Sequence, residues 1–210
     1  MRNHKFEIGE YYHIYNRGTE KRNIIFDKYD LDRFIKSIIE FNTIEPIGSI
    51  FQLSLEKKKN KAGSSTARPK KLVSLVAYCI NLNHFHLIIT PLVDNGVEKF
   101  MQRIGGYTRY FNEKYKRSGV LFHGKFKSKH VEKNEYLLRL SAYVNMNNRN
   151  SLSSPTTKLS KSSLEEYIKN EKGICDKEII LEQFKEPKDY LNFALEAWQD
   201  TRARKEALEI

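Results

Sequence analysis

The chain has 210 residues, 40% of them hydrophobic, and its 37 Lys and Arg against 26 Asp and Glu give a formal net charge of +11. This length can bury the core of one domain and leave residues for an appendage. No apolar run is long enough to span a membrane, and the N-terminus lacks the apolar stretch of a secretory signal. Cys79 and Cys175 are the only cysteines. They argue against a disulfide framework and predict a reducing, cytoplasmic setting.

The positive charge is concentrated in one block of the sequence. Residues 101–150 carry 11 basic and 3 acidic side chains, whereas residues 151–210 carry 10 basic and 12 acidic ones. Such a block suits a polyanion, because each neutralised phosphate releases condensed counterions. Lysine-rich surfaces also occur in proteins that bind no nucleic acid, so charge alone leaves the partner open.

The first third of the chain predicts a strand, a helix and a loop. Residues 11–18 alternate aromatic and β-branched side chains up to a glycine, which is typical of a strand. Residues 27–42 have apolar residues at helical spacing, with Asp27 as a plausible N-cap. Residues 54–72 are rich in lysine and nearly free of apolar side chains, which predicts a basic, mobile insertion.

The next elements follow at close spacing. Residues 72–80 and 84–90 predict two strands joined by a tight turn. Apolar residues at helical spacing predict one long amphipathic helix over 97–115, and the Gly105–Gly106 pair inside it suggests that something packs closely there. Residues 122–131 alternate as a strand, and a helix is predicted from about residue 134 to residue 148.

This order, β-α-β-β-α-β followed by a helix, predicts an α+β protein with a ferredoxin-like antiparallel sheet. Two helices would cover one face of the sheet and leave the other face for a site. We assign residues 1–150 to this domain. Residues 151–210 would form a Ser/Thr/Lys-rich linker and a small helical C-terminal extension, with helices near 176–185 and 187–208.

Two histidines stand in the predicted strand "NLNHFHLIITP". Residues i and i+2 of a strand face the same way, so His84 and His86 share a face and Phe85 points to the other. A histidine on an apolar strand is usually structural. Two on one face favour a divalent-metal site, in which neutral imidazole nitrogens are ligands and a third nitrogen or oxygen is needed.

The helix near residues 134–148 offers that third group. Tyr143 and Asn147 are four residues apart and project together from one helix face. If this helix crosses the open sheet face, the Tyr143 hydroxyl and the Asn147 amide oxygen meet the histidine pair. Spacing alone does not distinguish Tyr143 from the chain's other tyrosines, and Asn147 could instead be a helix cap.

Four segments, in this order, resemble the HUH-class single-tyrosine transposases, namely the REP-associated tyrosine transposases and their insertion-sequence relatives. The segments are "YYHIYNRGTEKRNIIF", "AYCINLNHFHLI", "KFMQRIGGYTRYFNEKYKRSGVLFHGKFKS" and "EYLLRLSAYVNMNNRN". The resemblance covers residues 8–150. Residues 54–72 and the C-terminal extension match the shared core poorly.

The resemblance implies cleavage and strand transfer of single-stranded DNA at hairpin or palindromic repeats, through a 5′-phosphotyrosine intermediate. Tyr143 matches the nucleophile, and His84, His86 and Asn147 match ligands of Mg²⁺ or Mn²⁺. Relatives act as monomers or homodimers, and the sequence leaves the assembly open. The competing hypothesis is a non-catalytic DNA-hairpin binder that keeps the fold.

Basic side chains in and near the charged block are candidates for phosphate contacts, which give register on DNA and not base identity. His13 and His123 could also lie near the site, although each is more often a surface or strand histidine. The predicted DNA-binding residues are Arg17, Arg103, Arg109, Lys125, Lys127, Lys129 and Arg139.

Overall fold

The structure of the protein is a computed structural model that describes residues 5–59, 69–148, 159–169 and 171–208. The middle of the predicted basic insertion and most of the predicted linker after residue 148 lie outside these ranges. Within the described part of the chain, no helix is both long and apolar enough to cross a lipid bilayer.

A five-stranded antiparallel sheet forms the centre of the fold, with strand order β4-β1-β3-β2-β5. Its first four strands have the order β4-β1-β3-β2, with a helical crossover after β1 and another after β3, so the predicted ferredoxin-like topology is confirmed. The strands are β1 (Tyr11–Arg17), β2 (Val73–Ile80), β3 (His84–Pro91), β4 (Lys127–Val131) and β5 (Lys161–Ser162).

One face of the sheet is covered by α1 (Lys28–Glu40), α3 (Gly96–Gly105) and α4 (Tyr107–Lys114). Asp27 caps α1 as predicted, because its carboxylate accepts from the Asp30 backbone N–H in a capping box. The apolar side chains of these helices pack on Phe85 and its neighbours in the sheet.

The helix predicted over 97–115 is two helices, α3 and α4, which meet at the Gly105–Gly106 pair. A β-carbon on Gly105 would meet nothing within 4 Å, whereas one on Gly106 would lie 3.0 Å from the Arg103 carbonyl oxygen, so the expected close contact is found only at Gly106 and is made by the end of α3. The low helix propensity of two successive glycines accounts for the break.

The strand predicted over 122–131 is shorter and begins at Lys127. Phe122 forms an isolated bridge with Gly18, and Gly124 takes a positive φ of 68°. That backbone conformation suits a turn and interrupts the alternation, so Lys125 does not belong to the strand that carries Lys127 and Lys129.

The opposite sheet face is covered by α5 (Asn134–Met146), and the long helix α8 (Pro187–Leu208) packs on α5. The basic insertion begins differently from the prediction, because α2 (Ile50–Lys59) extends into it. Leu, Gln, Glu and Lys, which are good helix formers, fill most of that helix. The C-terminal extension supplies β5 as well as helices, with α6 at Leu164–Ile168 and α7 at Glu178–Leu181.

Candidate active site

The histidine pair lies on the face of β3 that α5 covers. Phe85, between the two, is 2% exposed and packs on Phe34 with ring centroids 5.3 Å apart in the opposite core. The rings of His84 and His86 are 5.2 Å apart and nearly perpendicular. The alternation of the strand therefore places both imidazoles toward one site, as the sequence predicts.

Hydrogen bonds assign the tautomer of His84. Its Nδ1 lies 2.6 Å from the carboxamide Oδ1 of Asn83, an oxygen that only accepts, so Nδ1 carries the proton. In the neutral ring the lone pair is then on Nε2. That nitrogen lies 3.1 Å from Oδ1 of Asn147. The lone pairs of His84 Nε2 on β3 and of Asn147 Oδ1 at the end of α5 thus face each other.

His86 is held by a third histidine. Nδ1 of His86 lies 2.8 Å from Nε2 of His13 on β1, and both side chains are only 8% exposed. Burial, together with the charge of Lys129, lowers the pKa of His13 to about 4, so His13 is neutral at physiological pH. When His86 donates from Nδ1 to this neutral ring, its Nε2 keeps the lone pair that a cation requires.

Tyr143 projects from α5 beside the pair. Its ring meets the His86 ring edge-on, with centroids 5.5 Å apart. Burial raises the pKa of Tyr143 above its usual value of 10, and a hydrogen bond with Asn147 partly offsets the rise. The side chain is therefore a neutral phenol near pH 7, and it must lose its proton to act as a nucleophile.

A buried polar network fixes the helix that carries Tyr143. Asn145 Nδ2 donates to Tyr190 Oη of α8 at 2.7 Å, and Asn145 Oδ1 accepts from Ser163 Oγ at 2.5 Å. Ser163 Oγ in turn accepts from the Tyr78 backbone N–H of β2 at 2.9 Å. Asn145 thus ties α5 to both the sheet and α8, and it sets the rotation at which Tyr143 and Asn147 face the histidines.

Asn147 follows α5 with right-handed helical backbone angles and is 9% exposed. Its Oδ1 accepts from Asn81 Nδ2 at 2.8 Å and faces His84. Asn147 is also the residue that caps the end of α5, with its backbone N–H donating to the Val144 carbonyl, so the cap alternative and the position of its oxygen in the site hold together.

Side chains at this site could hold a divalent cation. Among the described residues no group of three or more His, Cys, Asp or Glu could hold a metal, so a third protein ligand beside the histidine pair would be another kind of group, such as an amide. His84, His86 and Asn147 supply two imidazole nitrogens and one amide oxygen. The 3.1 Å between His84 Nε2 and Asn147 Oδ1 is close to the roughly 3.0 Å between neighbouring ligands of an octahedral ion bound at about 2.1 Å.

Two clefts meet at the histidine pair. Tyr143 lines the first, and Asn83 and His84 line the second, whereas Tyr15 and His86 line both. Lys129 and Arg139 line the first cleft, and Arg17 and Lys127 line the second, so the structure brings these four predicted cations to the site. The sequence also left other lining residues unassigned, among them Tyr15, Lys21, Asn83 and the acidic Asp200.

Both histidines that the sequence left open lie at the site. His13 contacts His86, and His123 lines the second cleft. Their signal in the sequence was weak. His13 and Tyr15 share a face of β1. Only the pairing of β1 with β3 shows that this is the sheet face that carries His84 and His86.

Three of the predicted phosphate contacts are not brought to the site. Arg103 donates to the backbone carbonyls of residues 41, 43 and 44, at 3.2, 2.5 and 3.2 Å. Arg109 pairs with Glu113 on α4, against the opposite sheet face. Lys125 lines a separate apolar pocket beside α3. A basic residue in the sequence does not reveal which carbonyls or carboxylates it meets in the fold.

Arg103→Met should lower the free energy of unfolding by about 2–4 kcal/mol, because three carbonyls lose a charged donor. Hairpin-DNA affinity should stay at the wild-type value. Urea unfolding and a binding titration measure the two effects. Arg109→Met is the control and should change neither. A large loss of DNA affinity in folded Arg103→Met protein would restore Arg103 as a DNA contact.

Comparisons with known proteins identify the class to which this chain is similar. Residues 48–147, just under half of the chain, match the family model described as "Transposase IS200 like". The predicted resemblance to this class is thereby confirmed, and the matched segment contains His84, His86, Tyr143 and Asn147. No curated protein matches the chain.

The fold has a solved counterpart. The chain is similar to the structure described as "Structure of the REP associates tyrosine transposase bound to a REP hairpin", with a TM-score of 0.51 and 11% sequence identity over 80% of this chain and 84% of that one. At this identity the match shows the fold. The chain therefore has the tyrosine transposase fold, with the IS200-like segment at its centre.

Proposed function

We propose that the protein cleaves single-stranded DNA beside hairpin or palindromic repeats and rejoins it through a 5′-phosphotyrosine on Tyr143. The observation that carries this proposal is the convergence of two elements on one point. Strand β3 supplies His84 and His86, and α5 supplies Tyr143 and the Asn147 oxygen 3.1 Å from His84 Nε2.

The reaction follows from the nucleophile. The Tyr143 oxygen attacks the phosphorus, a Tyr–O–P bond forms, the P–O3′ bond breaks, and the departing oxygen takes a proton to become a 3′-OH. The phenolic proton leaves Tyr143 in the same reaction. Because the new linkage is again a phosphodiester, its energy is conserved, and attack by another 3′-OH completes strand transfer without ATP.

His84, His86 and Asn147 would hold the cation, Mg²⁺ or Mn²⁺, and when bound it would polarise the scissile phosphate and offset its developing charge. His13 and Asn83 orient the two imidazoles by binding their Nδ1 atoms. In metal sites, a hydrogen bond to the ring nitrogen that does not bind the metal fixes the orientation and the tautomer of a ligand histidine.

A hairpin is the DNA partner that the observations support best. The similar solved structure is described as bound to a REP hairpin. In this chain Arg17, Lys127, Lys129 and Arg139 line the clefts beside the histidines. These cations would hold phosphates on both sides of the scissile bond.

The test uses a labelled single-stranded DNA library, with a constant hairpin and randomised flanks, incubated with the full-length protein and Mg²⁺ or Mn²⁺. A denaturing gel should show a covalent protein–DNA adduct and a shortened DNA strand with a free 3′-OH. Chelation by EDTA should remove both products. Hairpin binding without any adduct under either cation would overturn the proposal and favour the non-catalytic hairpin binder.

Lys127→Ala combined with Lys129→Ala should weaken hairpin binding because two cleft cations are lost. The slope of log affinity against log salt should fall by about one for each lost phosphate contact. Fluorescence anisotropy between low and moderate salt measures the slope. Arg109→Ala, on the opposite face, is the matched control and should leave the slope unchanged. An equal fall of the slope in the double lysine variant and in Arg109→Ala would show that DNA does not bind along the clefts.

A further inference from the structure

Asn81 occupies an unassigned position at the centre of the site. It follows β2 directly and is 4% exposed. Its backbone N–H donates to the His84 carbonyl at 2.8 Å and closes the turn between β2 and β3. The short turn therefore directs the Asn81 carboxamide at His84.

The Asn81 carboxamide contacts both His84 Nε2 and Asn147 Oδ1. Its Nδ2 donates to Asn147 Oδ1 at 2.8 Å and lies 3.0 Å from His84 Nε2. One amide group thus contacts the same two atoms that a cation would bind. Its position is fixed by the sheet on one side and by α5 on the other.

The other half of this carboxamide is unsatisfied. Asn81 Oδ1 is buried and accepts no hydrogen bond from any residue that the structure describes. Buried polar atoms without a partner are rare and call for an explanation, which can be an ion. A half-turn of the carboxamide exchanges Oδ1 with Nδ2. It would bring a third acceptor to His84 Nε2 and Asn147 Oδ1.

We infer that Asn81 is a further ligand of the divalent cation. Its carboxamide donates to His84 and Asn147 in the arrangement seen here and turns over to present Oδ1 when the cation binds. The inference rests on the cation site of the proposed function. It adds a second amide oxygen to the site, and oxygen is the ligand atom that Mg²⁺ and Mn²⁺ prefer.

Isothermal titration of full-length protein with Mn²⁺ tests the role without any DNA reaction. Asn81→Asp replaces the amide by a carboxylate that binds hard cations more strongly, so Mn²⁺ affinity should rise roughly tenfold or more. Asn81→Ala should weaken Mn²⁺ binding about tenfold. If Asn81 acted only as a hydrogen-bond donor to its neighbours, Asn81→Asp should lower the Mn²⁺ affinity, because a carboxylate cannot donate.

Asn16→Asp controls for added charge. Asn16 lines the second cleft together with His84, but its carboxamide binds the Gly124 carbonyl and the Arg17 backbone N–H, so the new charge should raise the affinity much less than Asn81→Asp. An equal rise in both variants, or wild-type affinity in Asn81→Ala, would overturn the inference.

A second measurement covers the case in which Asn81→Asp does not fold. With ¹³C at the asparagine carboxamide carbons, electron–nuclear double resonance of bound Mn²⁺ should show couplings from Asn81 and Asn147, and Asn81→Ala should remove one. An unchanged spectrum would contradict the inference.

Two controls separate this inference from the proposed function. His84→Ala should lose Mn²⁺ binding in the same titration, whereas Tyr143→Phe should keep it. If wild-type protein binds no Mn²⁺, the cation site of the proposed function fails and Asn81 fails with it. If His84→Ala loses binding while Asn81→Ala keeps it, only the inference about Asn81 fails.

Discussion

Tyr143→Phe should reduce formation of the covalent protein–DNA adduct by at least about 10³-fold, because the variant lacks the only atom that the proposal assigns as nucleophile. The aromatic ring and its packing on His86 and His13 remain. Hairpin affinity should therefore stay within about threefold of wild type, since cleft cations supply most of the binding energy. Single-turnover cleavage and a binding titration on the same hairpin measure the two effects.

Tyr136→Phe is the matched control for this experiment. Tyr136 lies on the same helix and lines the same cleft, two turns before Tyr143, with Lys129 Nζ 4.6 Å from its ring centroid. It keeps its ring in the variant, so adduct formation should remain near wild type. Loss of the adduct in Tyr136→Phe with survival in Tyr143→Phe would move the nucleophile to the other tyrosine.

His84→Ala should abolish DNA cleavage and weaken Mn²⁺ binding by roughly 100-fold or more, because it removes a ligand and not merely an outer contact. Most of the hairpin affinity should remain, since His84 is not among the cleft cations. Cleavage in the presence of Mn²⁺, isothermal titration with Mn²⁺ and hairpin binding report the three properties separately. His86→Ala should behave in the same way.

His130→Ala is the control for loss of an imidazole from the sheet. His130 lies on β4 but faces the other side, where it stacks on Tyr12 and pairs with Glu10. The His130→Ala variant should keep cleavage and Mn²⁺ affinity at wild-type values. Full cleavage by folded His84→Ala would show that the assignment of His84 as a ligand is wrong.

Local periodicity predicted the parts of the site that lie within single elements. Alternation along β3 is enough to put His84 and His86 on one face, and the four-residue spacing on α5 is enough to align Tyr143 with Asn147. The strand order followed from the succession of elements, because few topologies accommodate β-α-β-β-α-β. The meeting of β3 with α5 stayed a hypothesis until the fold was known.

The rest depends on contacts between distant segments. Arg103 looks like a DNA contact in a basic block, yet its guanidinium binds carbonyls about 60 positions earlier in the chain. Asn145 fixes α5 through Ser163 and Tyr190, and Asn81 faces Asn147 across the site. No local pattern distinguishes these asparagines from ordinary turn or helix-end residues, because their partners are set by tertiary packing.

The same limit explains the errors at the element level. Helical spacing runs without a break from residue 97 to residue 115, but two successive glycines end α3 and start α4. Alternation through residues 122–131 hides a turn at Gly124, and that turn places Lys125 outside β4. In both places glycine backbone freedom outweighs the side-chain pattern.

The residue that carries the covalent bond to DNA can be located directly. Full-length protein is reacted with hairpin DNA and Mn²⁺, the adduct is digested with nuclease and protease, and the peptides are sequenced by mass spectrometry. We expect a nucleotide 5′-phosphate joined to Tyr143 in the peptide that also carries Asn147. A phosphate on any other residue, or cut DNA with no protein attached, would contradict it.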